Sequence, residues 1–282
     1  MNPAAVKLIE KLPRLSTVPN VYSRVNAAVN DPNSQAAKVG EIISSDQALT
    51  AQLLRLVNSA FYGFPGKVDN VSRAVTIVGF KQTRELVLAA SIMKNFKGEG
   101  GLINMEEFWK HSLAVATISK IIAEVSGNKK HMEALFTAGL MHDIGRLIMM
   151  EKSDEIDLAG IFETAKSQNM PVYKVEKAKA GFSHNEVGEA LASKWNLPPL
   201  LRETIAFHHT PARALQFKPE TAIVHLAEVL AHTMSLGNSG DEAVPILDTN
   251  VLKTLTININ SLDQVADQTS VLYPDMLKTF LE

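Results

Sequence analysis

Ala138-Gly-Leu-Met-His142-Asp143-Ile-Gly145-Arg146-Leu147-Ile148 places an imidazole and a carboxylate side by side in an apolar run of helical character. Buried polar groups cost a few kcal/mol unless they find partners, so this doublet needs a reason. Adjacent residues on a helix point about 100° apart, so the two cannot meet across a turn as i,i+4 neighbours do. From the end of a helix they can converge on one ion, and Asp143, with two oxygens, can bridge two. A satisfied core histidine beside a surface aspartate is the commoner origin of such a pair. The company elsewhere shifts the balance: His111 upstream, then His184, His208-His209 and Glu228 downstream.

Outward from the doublet, the chain reads as helices. Upstream, Asn104-Met-Glu-Glu107 has the pattern of a capping box and opens a helix through Trp109, His111, Ile118 and Val125 to a stop at Gly127. Downstream, a helix spans Asp154 to Gln168, closed by Asn169-Met-Pro171. Ser183-His-Asn-Glu186 is a second capping box, with His184 in the first turn of a helix reaching Trp195. Pro198-Pro199 opens the next helix, which ends at His208-His209. Glu220 to Leu236 carries His225, Glu228 and His232 along one face. From Asp241 the pattern weakens; Asn260-Ser-Leu-Asp263 starts one more helix, which Tyr273-Pro274 interrupts.

Residues 3 to about 97 form a series of short helices, the clearest of them capped by Asp46 with Leu49, Leu53, Leu56 and Val57 on one face. Asn58 to Gly66 breaks it. Lys97-Gly-Glu-Gly-Gly101 is the best boundary, so the expected division is residues 1–100, 101–240 and a C-terminal extension, 241–282. Thr256 to Ile259 is the one short β-like run. The expected class is all-α, an N-terminal helical bundle packed on a second helical bundle.

Composition narrows the function. With 282 residues, 46% hydrophobic and 21% charged, the chain can bury a full core. A net charge of −2 gives no electrostatic footprint for nucleic acid or an anionic membrane. The absence of cysteine excludes disulfides and thiolate metal sites. No signal peptide and no apolar run near the roughly 20 residues that span a bilayer is found, so a cytoplasmic protein is expected.

Imidazole and carboxylate donors suit a divalent transition metal, Fe, Mn, Zn, Ni or Co, whereas Mg or Ca would not need histidines. His111, His142, Asp143, His184, His208 and His209, with Glu228 as a seventh, suffice for two ions about 3.5–4 Å apart, clamping a phosphoryl group and generating hydroxide. There is no nucleophile triad and no phosphate-cradling glycine loop. His131 reads as a solvated helix-start residue. His225 and His232 read as packing residues that can serve as donors behind the ligands.

The second block resembles the HD superfamily of metal-dependent phosphohydrolases, through His111, the His142-Asp143 doublet and the later histidines. Residues 12 to about 209 resemble more narrowly an HDOD domain, a bacterial signalling relative. That likeness rests on Leu53-Leu-Arg-Leu-Val-Asn-Ser-Ala-Phe-Tyr-Gly63, Arg73-Ala through Gly79, Gly181-Phe-Ser-His-Asn-Glu-Val-Gly188, Trp195-Asn-Leu-Pro198 and His208-His-Thr-Pro211. Each motif is weak; their order and spacing are specific. The resemblance implies a regulatory module, and many such modules have lost the metal site. Compared with the HD-GYP cyclic-dinucleotide phosphodiesterases, His111, His142, Asp143, His184, His208 and His209 match ligand positions. Glu228 stands where those enzymes carry aspartate, and Arg146 where a lysine follows the doublet. Their Gly-Tyr-Pro signature is replaced by Thr210-Pro-Ala-Arg213.

Three readings follow. The first is a signalling module with a retained metal centre, acting through a partner protein or nucleotide ligand. The second is a working metal-dependent phosphohydrolase, with Asp143 and Arg146 catalytic and a dinuclear Fe or Mn centre, or Zn or Ni in their place. The third is a helical interaction protein whose histidines are core residues. Arg55, Asn58, Ser59 and Arg73 read as capping or packing residues before they read as a ligand site.

Overall fold

The computed structural model describes residues 1–12, 18–64, 66–95 and 101–281. In chain order the helices are α1 (Pro3–Glu10), α2 (Asn20–Val29), α3 (Ala36–Ser44), α4 (Gln47–Val57), α5 (Val71–Val78), α6 (Phe80–Asn95), α7 (Met105–Val125) and α8 (Met132–Met141). There follow α9 (Ile144–Glu151), α10 (Leu158–Ser167), α11 (Val172–Ala180), α12 (His184–Lys194), α13 (Pro199–Phe207), α14 (Lys218–Thr233), α15 (Asn250–Thr254) and α16 (Ser261–Leu281). No strand occurs among the described residues, and the fold is all-α. No helix is long and apolar enough to cross a membrane.

Contacts divide the chain into two units, Val18–Lys97 with Ser270–Glu282, and Met1–Thr17 with Gly98–Thr269. The boundary expected at Lys97–Gly101 lies, but for its last residue, outside the described residues. In the smaller unit, Asp46 caps α4 by accepting the Leu49 N–H at 3.1 Å. Asn58 ends that helix and clamps the chain beyond it: Oδ1 accepts the Val68 N–H at 2.7 Å while Nδ2 donates to the Val68 carbonyl at 2.8 Å. Ser59 donates to the Leu56 carbonyl at 2.7 Å. Both side chains hold the turn in place.

The larger unit is organised on α7, which buries Phe108, Leu113, Ile118 and Ile122 together with His111. Two glycines set how closely its neighbours approach. A Cβ on Gly139 of α8 would lie 2.7 Å from Ala116 Cα, so only glycine lets α8 lie this close to α7. On α9, a Cβ on Gly145 would overlap the His184 carbonyl oxygen and sit 2.7 Å from the Gly188 nitrogen. The missing side chain thus seats the first turn of α12 on α9. α14 packs on α7 as well, and α1 on α12.

The structure differs from the sequence reading in six places. The doublet is not inside a helix: α8 ends at Met141, His142 and Asp143 form the bend, and α9 begins at Ile144. α10 begins at Leu158, where Asp157 accepts the Gly160 N–H at 2.9 Å, not at Asp154. α11 is a helix that the reading did not contain. Pro274 lies within α16 and does not interrupt it. The β-like run is no strand, because Thr256 turns with φ +53°. Ser183–Glu186 forms the expected capping box, whereas Asn104 caps α7 alone and Glu107 instead pairs with Lys110 at 2.9 Å.

Candidate metal centre

The bend between α8 and α9 points Asp143 into the interior, and two other helix ends deliver imidazoles to it. His184 comes from the start of α12, and His208 and His209 from the end of α13. Ligand-capable atoms of Asp143, His184, His208 and His209 all lie within 4.8 Å of one another, and those of His111, His142 and Asp143 form a second such group. Asp143 is common to both. Its Oδ1 lies 3.1 Å from His184 Nε2 and 3.6 Å from His208 Nε2; its Oδ2 lies 3.4 Å from His142 Nε2 and 3.2 Å from Arg146 Nε. The two oxygens therefore face two separate sets of donors.

Glu228 belongs to neither group. It stands behind His209, its Oε2 3.5 Å from Nδ1. Arg146 is buried beside Asp143 and also pairs with Asp241. His225 lies off the cluster: its Nδ1 donates to the His208 carbonyl at 2.6 Å and its Nε2 accepts the Asp248 N–H at 3.0 Å, so it holds the chain that carries His208. His232 packs its ring against His111, centroids 4.6 Å apart. His131 stays apart from the cluster, paired with Glu220 at 2.5 Å.

Hydrogen bonds fix which nitrogen of each ring faces inward. His142 Nδ1 lies 2.7 Å from the Gly139 carbonyl, and His208 Nδ1 lies 2.9 Å from the Ile205 carbonyl. His184 Nδ1 lies 2.7 Å from Glu176 Oε2, which also accepts the His184 N–H. A carbonyl or carboxylate accepts only, so each Nδ1 carries a proton and each Nε2 faces the cluster. His184 Nε2 and His209 Nε2 lie 2.9 Å apart, within hydrogen-bond reach of each other. Both nitrogens of His111, His142 Nε2, His208 Nε2, His209 Nδ1, both oxygens of Asp143 and both oxygens of Glu228 are buried without a hydrogen-bond partner. So many buried polar atoms without partners are costly unless an ion lies among them, and the donor set fits a divalent transition metal.

The electrostatics divide the histidines, lowering three but raising His142, where burial is outweighed by Asp143. Burial pushes His111 and His209 well below the ordinary histidine range and His208 down to about 4, the histidines nearby adding to the effect. All three are held neutral and metal-competent. For His184, burial and Arg146 act downward, but Glu176 and Asp143 outweigh them and raise it to about 9. Burial opposes the charge on Asp143, yet Arg146, His142 and His184 hold its carboxyl well below the usual range. Glu228 is pushed up to about 8 by burial, with Asp143 and Asp241 contributing repulsion.

Three contributors were not legible in the sequence. Glu176 lies on the unread helix α11. Asp241 follows the Gly-Asn-Ser-Gly turn. Tyr173 stacks on His209 with centroids 4.4 Å apart and planes 13° apart. The one available signal was a carboxylate eight residues before a histidine at a helix start.

A family model described as the HDOD domain matches residues 15–211. A solved HDOD domain protein of unknown function from Geobacter sulfurreducens is 25% identical with a TM-score of 0.76, 98% of each chain being covered. A structure from Shewanella amazonensis SB2B superposes with a TM-score of 0.75 over 99% of this chain and 98% of that one; at 23% identity it carries the fold alone. An uncharacterized Treponema pallidum (strain Nichols) protein is 25% identical over 245 residues, 86% of this chain. This chain spans about half of that relative, 46% of its length.

Proposed function

This chain belongs to the HDOD family, and on that premise we propose that it is a regulatory module with a retained HD-type metal centre, signalling through a bound ligand or partner protein. His111, His142, Asp143, His184, His208 and His209 would hold a divalent transition metal, Fe or Mn suiting the set, with Glu228 standing behind His209. The observation that carries this reading is burial: His111, His142, Asp143, His184 and His208 expose no surface, so the ligands face one another and not a substrate cleft.

Such a metal would supply a Lewis-acid centre and a water of lowered pKa. The chain's own residues then set what that centre can do. Glu176 holds the His184 tautomer, His225 anchors the backbone of His208, and Arg146 places a permanent positive charge beside Asp143. Arginine stabilises a phosphoryl group but is a poor proton donor. The second reading, hydrolysis of a phosphodiester with Asp143 and Arg146 catalytic, is favoured by the completeness of the donor set.

Incubation of Mn-loaded protein with cyclic-di-GMP separates the two. Little or no product by chromatography is expected. Robust turnover that is abolished in His142→Ala and Asp143→Ala would overturn the regulatory reading in favour of the enzyme.

A further inference from the structure

Arg146 is the buried cation of the centre, and its partner opposite Asp143 is a residue from far along the chain. Nε faces Asp143, Nη2 donates to Asp241 Oδ2, and Nη1 is buried without a hydrogen-bond partner. Asp241 reaches this position from a segment without helix. Ser235 (φ +55°), Gly237 (φ +73°) and Gly240 (φ +108°) turn the chain. Asn238 donates its N–H to the Glu107 carbonyl at 3.0 Å, one turn before His111, and a Cβ on Gly237 would overlap the His111 backbone nitrogen. The segment is therefore fastened to α7 beside the cluster. Asp241 Oδ1 meanwhile accepts the Val172 N–H at 3.0 Å, at the first residue of α11.

Asp241 also lines a cavity of about 190 Å³, formed with Phe162, Asn169, Met170, Val172 and Gly240. One carboxylate thus faces a cavity on one side and the buried guanidinium on the other. A carboxylate and a phosphoryl group bind guanidinium through the same planar, paired geometry.

We propose that Asp241 is a resident competitor: its carboxylate occupies the place on Arg146 that a phosphate-type oxyanion takes, and such a ligand enters through the cavity that Asp241 lines. Binding then requires the Asp241–Arg146 pair to open, which frees the Val172 N–H and releases the start of α11, the helix that carries Glu176. Ligand capture is thereby linked to the helix behind His184. The inference rests on the metal-centre reading only for the neighbouring charge; the exchange itself takes place on Arg146.

Inorganic phosphate is the probe, measured by calorimetry on wild type, Asp241→Asn and Arg146→Gln, with metal content determined on each sample. Asp241→Asn keeps the shape and an acceptor for Val172 while removing the competing charge. Phosphate should bind it about tenfold more tightly than wild type, and Arg146→Gln should lose binding. Equal affinity in wild type and Asp241→Asn, or binding by neither, overturns the proposal. On wild type, hydrogen exchange at the Val172 amide should accelerate at saturating phosphate, which keeps the test independent of whether a variant folds; unchanged exchange counts against it. Absence of metal from all samples, with the phosphate pattern intact, would sink the metal-centre reading and leave this one standing.

Discussion

Two buried carboxylates, one in each unit, meet opposite fates. In the larger unit Asp143 is fully buried among Arg146, His142 and His184 and stays charged. In the smaller, Glu85 is 3% exposed beside a single guanidinium, Arg84, at 2.6 Å, and burial drives its carboxyl upward although Arg84 opposes the shift. Its Oε2 has no partner. Burying an ion costs several kcal/mol, and one partly exposed cation returns too little of it. Several convergent partners hold a charge ready for chemistry, whereas one partner makes a structural acid. The comparison separates a site from a core residue better than burial does.

The sharpest break is Asp143→Ala. Untagged wild type should carry a first-row transition metal by elemental analysis, and the variant should lose most of it. Added Mn or Fe at about 100-fold over its dissociation constant should stabilise the wild type by about 2.7 kcal/mol, visible in the melting temperature, and leave the variant unmoved. A wild type that holds no metal and shows no shift would place Asp143 alongside Glu85 as a structural acid.

Next in size is Gly145→Ala. The added methyl meets the His184 backbone, so overpacking should cost about 1–3 kcal/mol in urea unfolding, with metal content falling alongside. Retention of full stability and metal would show that the approach of α12 to α9 does not govern the cluster.

Glu85→Gln tests the other side of the comparison. The folded chain holds the Glu85 proton more tightly than the unfolded chain. The stability so contributed is complete below the ordinary value of 4.5 and is lost as pH rises through the higher folded value. The wild type should therefore lose stability relative to Glu85→Gln as pH climbs above that value. Parallel pH profiles in chemical unfolding would contradict the assignment. The smallest effect belongs to His131→Gln, a histidine outside the cluster in a partly exposed pair with Glu220. A cost under about 1 kcal/mol and unchanged metal content are expected.

The all-α class was legible because helix starts announce themselves locally, through Asp46 and the Ser183–Glu186 box. The ligand candidates were legible because histidines are conspicuous at helix ends in an otherwise apolar pattern. Which atoms face which was not. Glu176, Asp241 and Tyr173 reach the cluster through tertiary approach, on a short lysine-rich helix and an irregular segment whose residues look solvated in sequence. The bend at His142-Asp143 was hidden as well, since the apolar pattern runs straight through it and only the packing of α9 against α12 requires the chain to turn there.

The seating of α14 on α7 has a consequence for how the molecule forms. Most helix pairs around the cluster, α7 with α8, α9 with α12 and α12 with α13, join stretches close in sequence, whereas α14 returns across roughly a hundred residues to reach α7. Distant closures are the slow ones in folding. Nascent chain would therefore gather His142, Asp143, His184, His208 and His209 first, and gain Glu228 and His232 only when α14 docks. Synthesis order makes the cluster an open cup before it becomes a sealed chamber, and that interval is when an ion has its easiest way in.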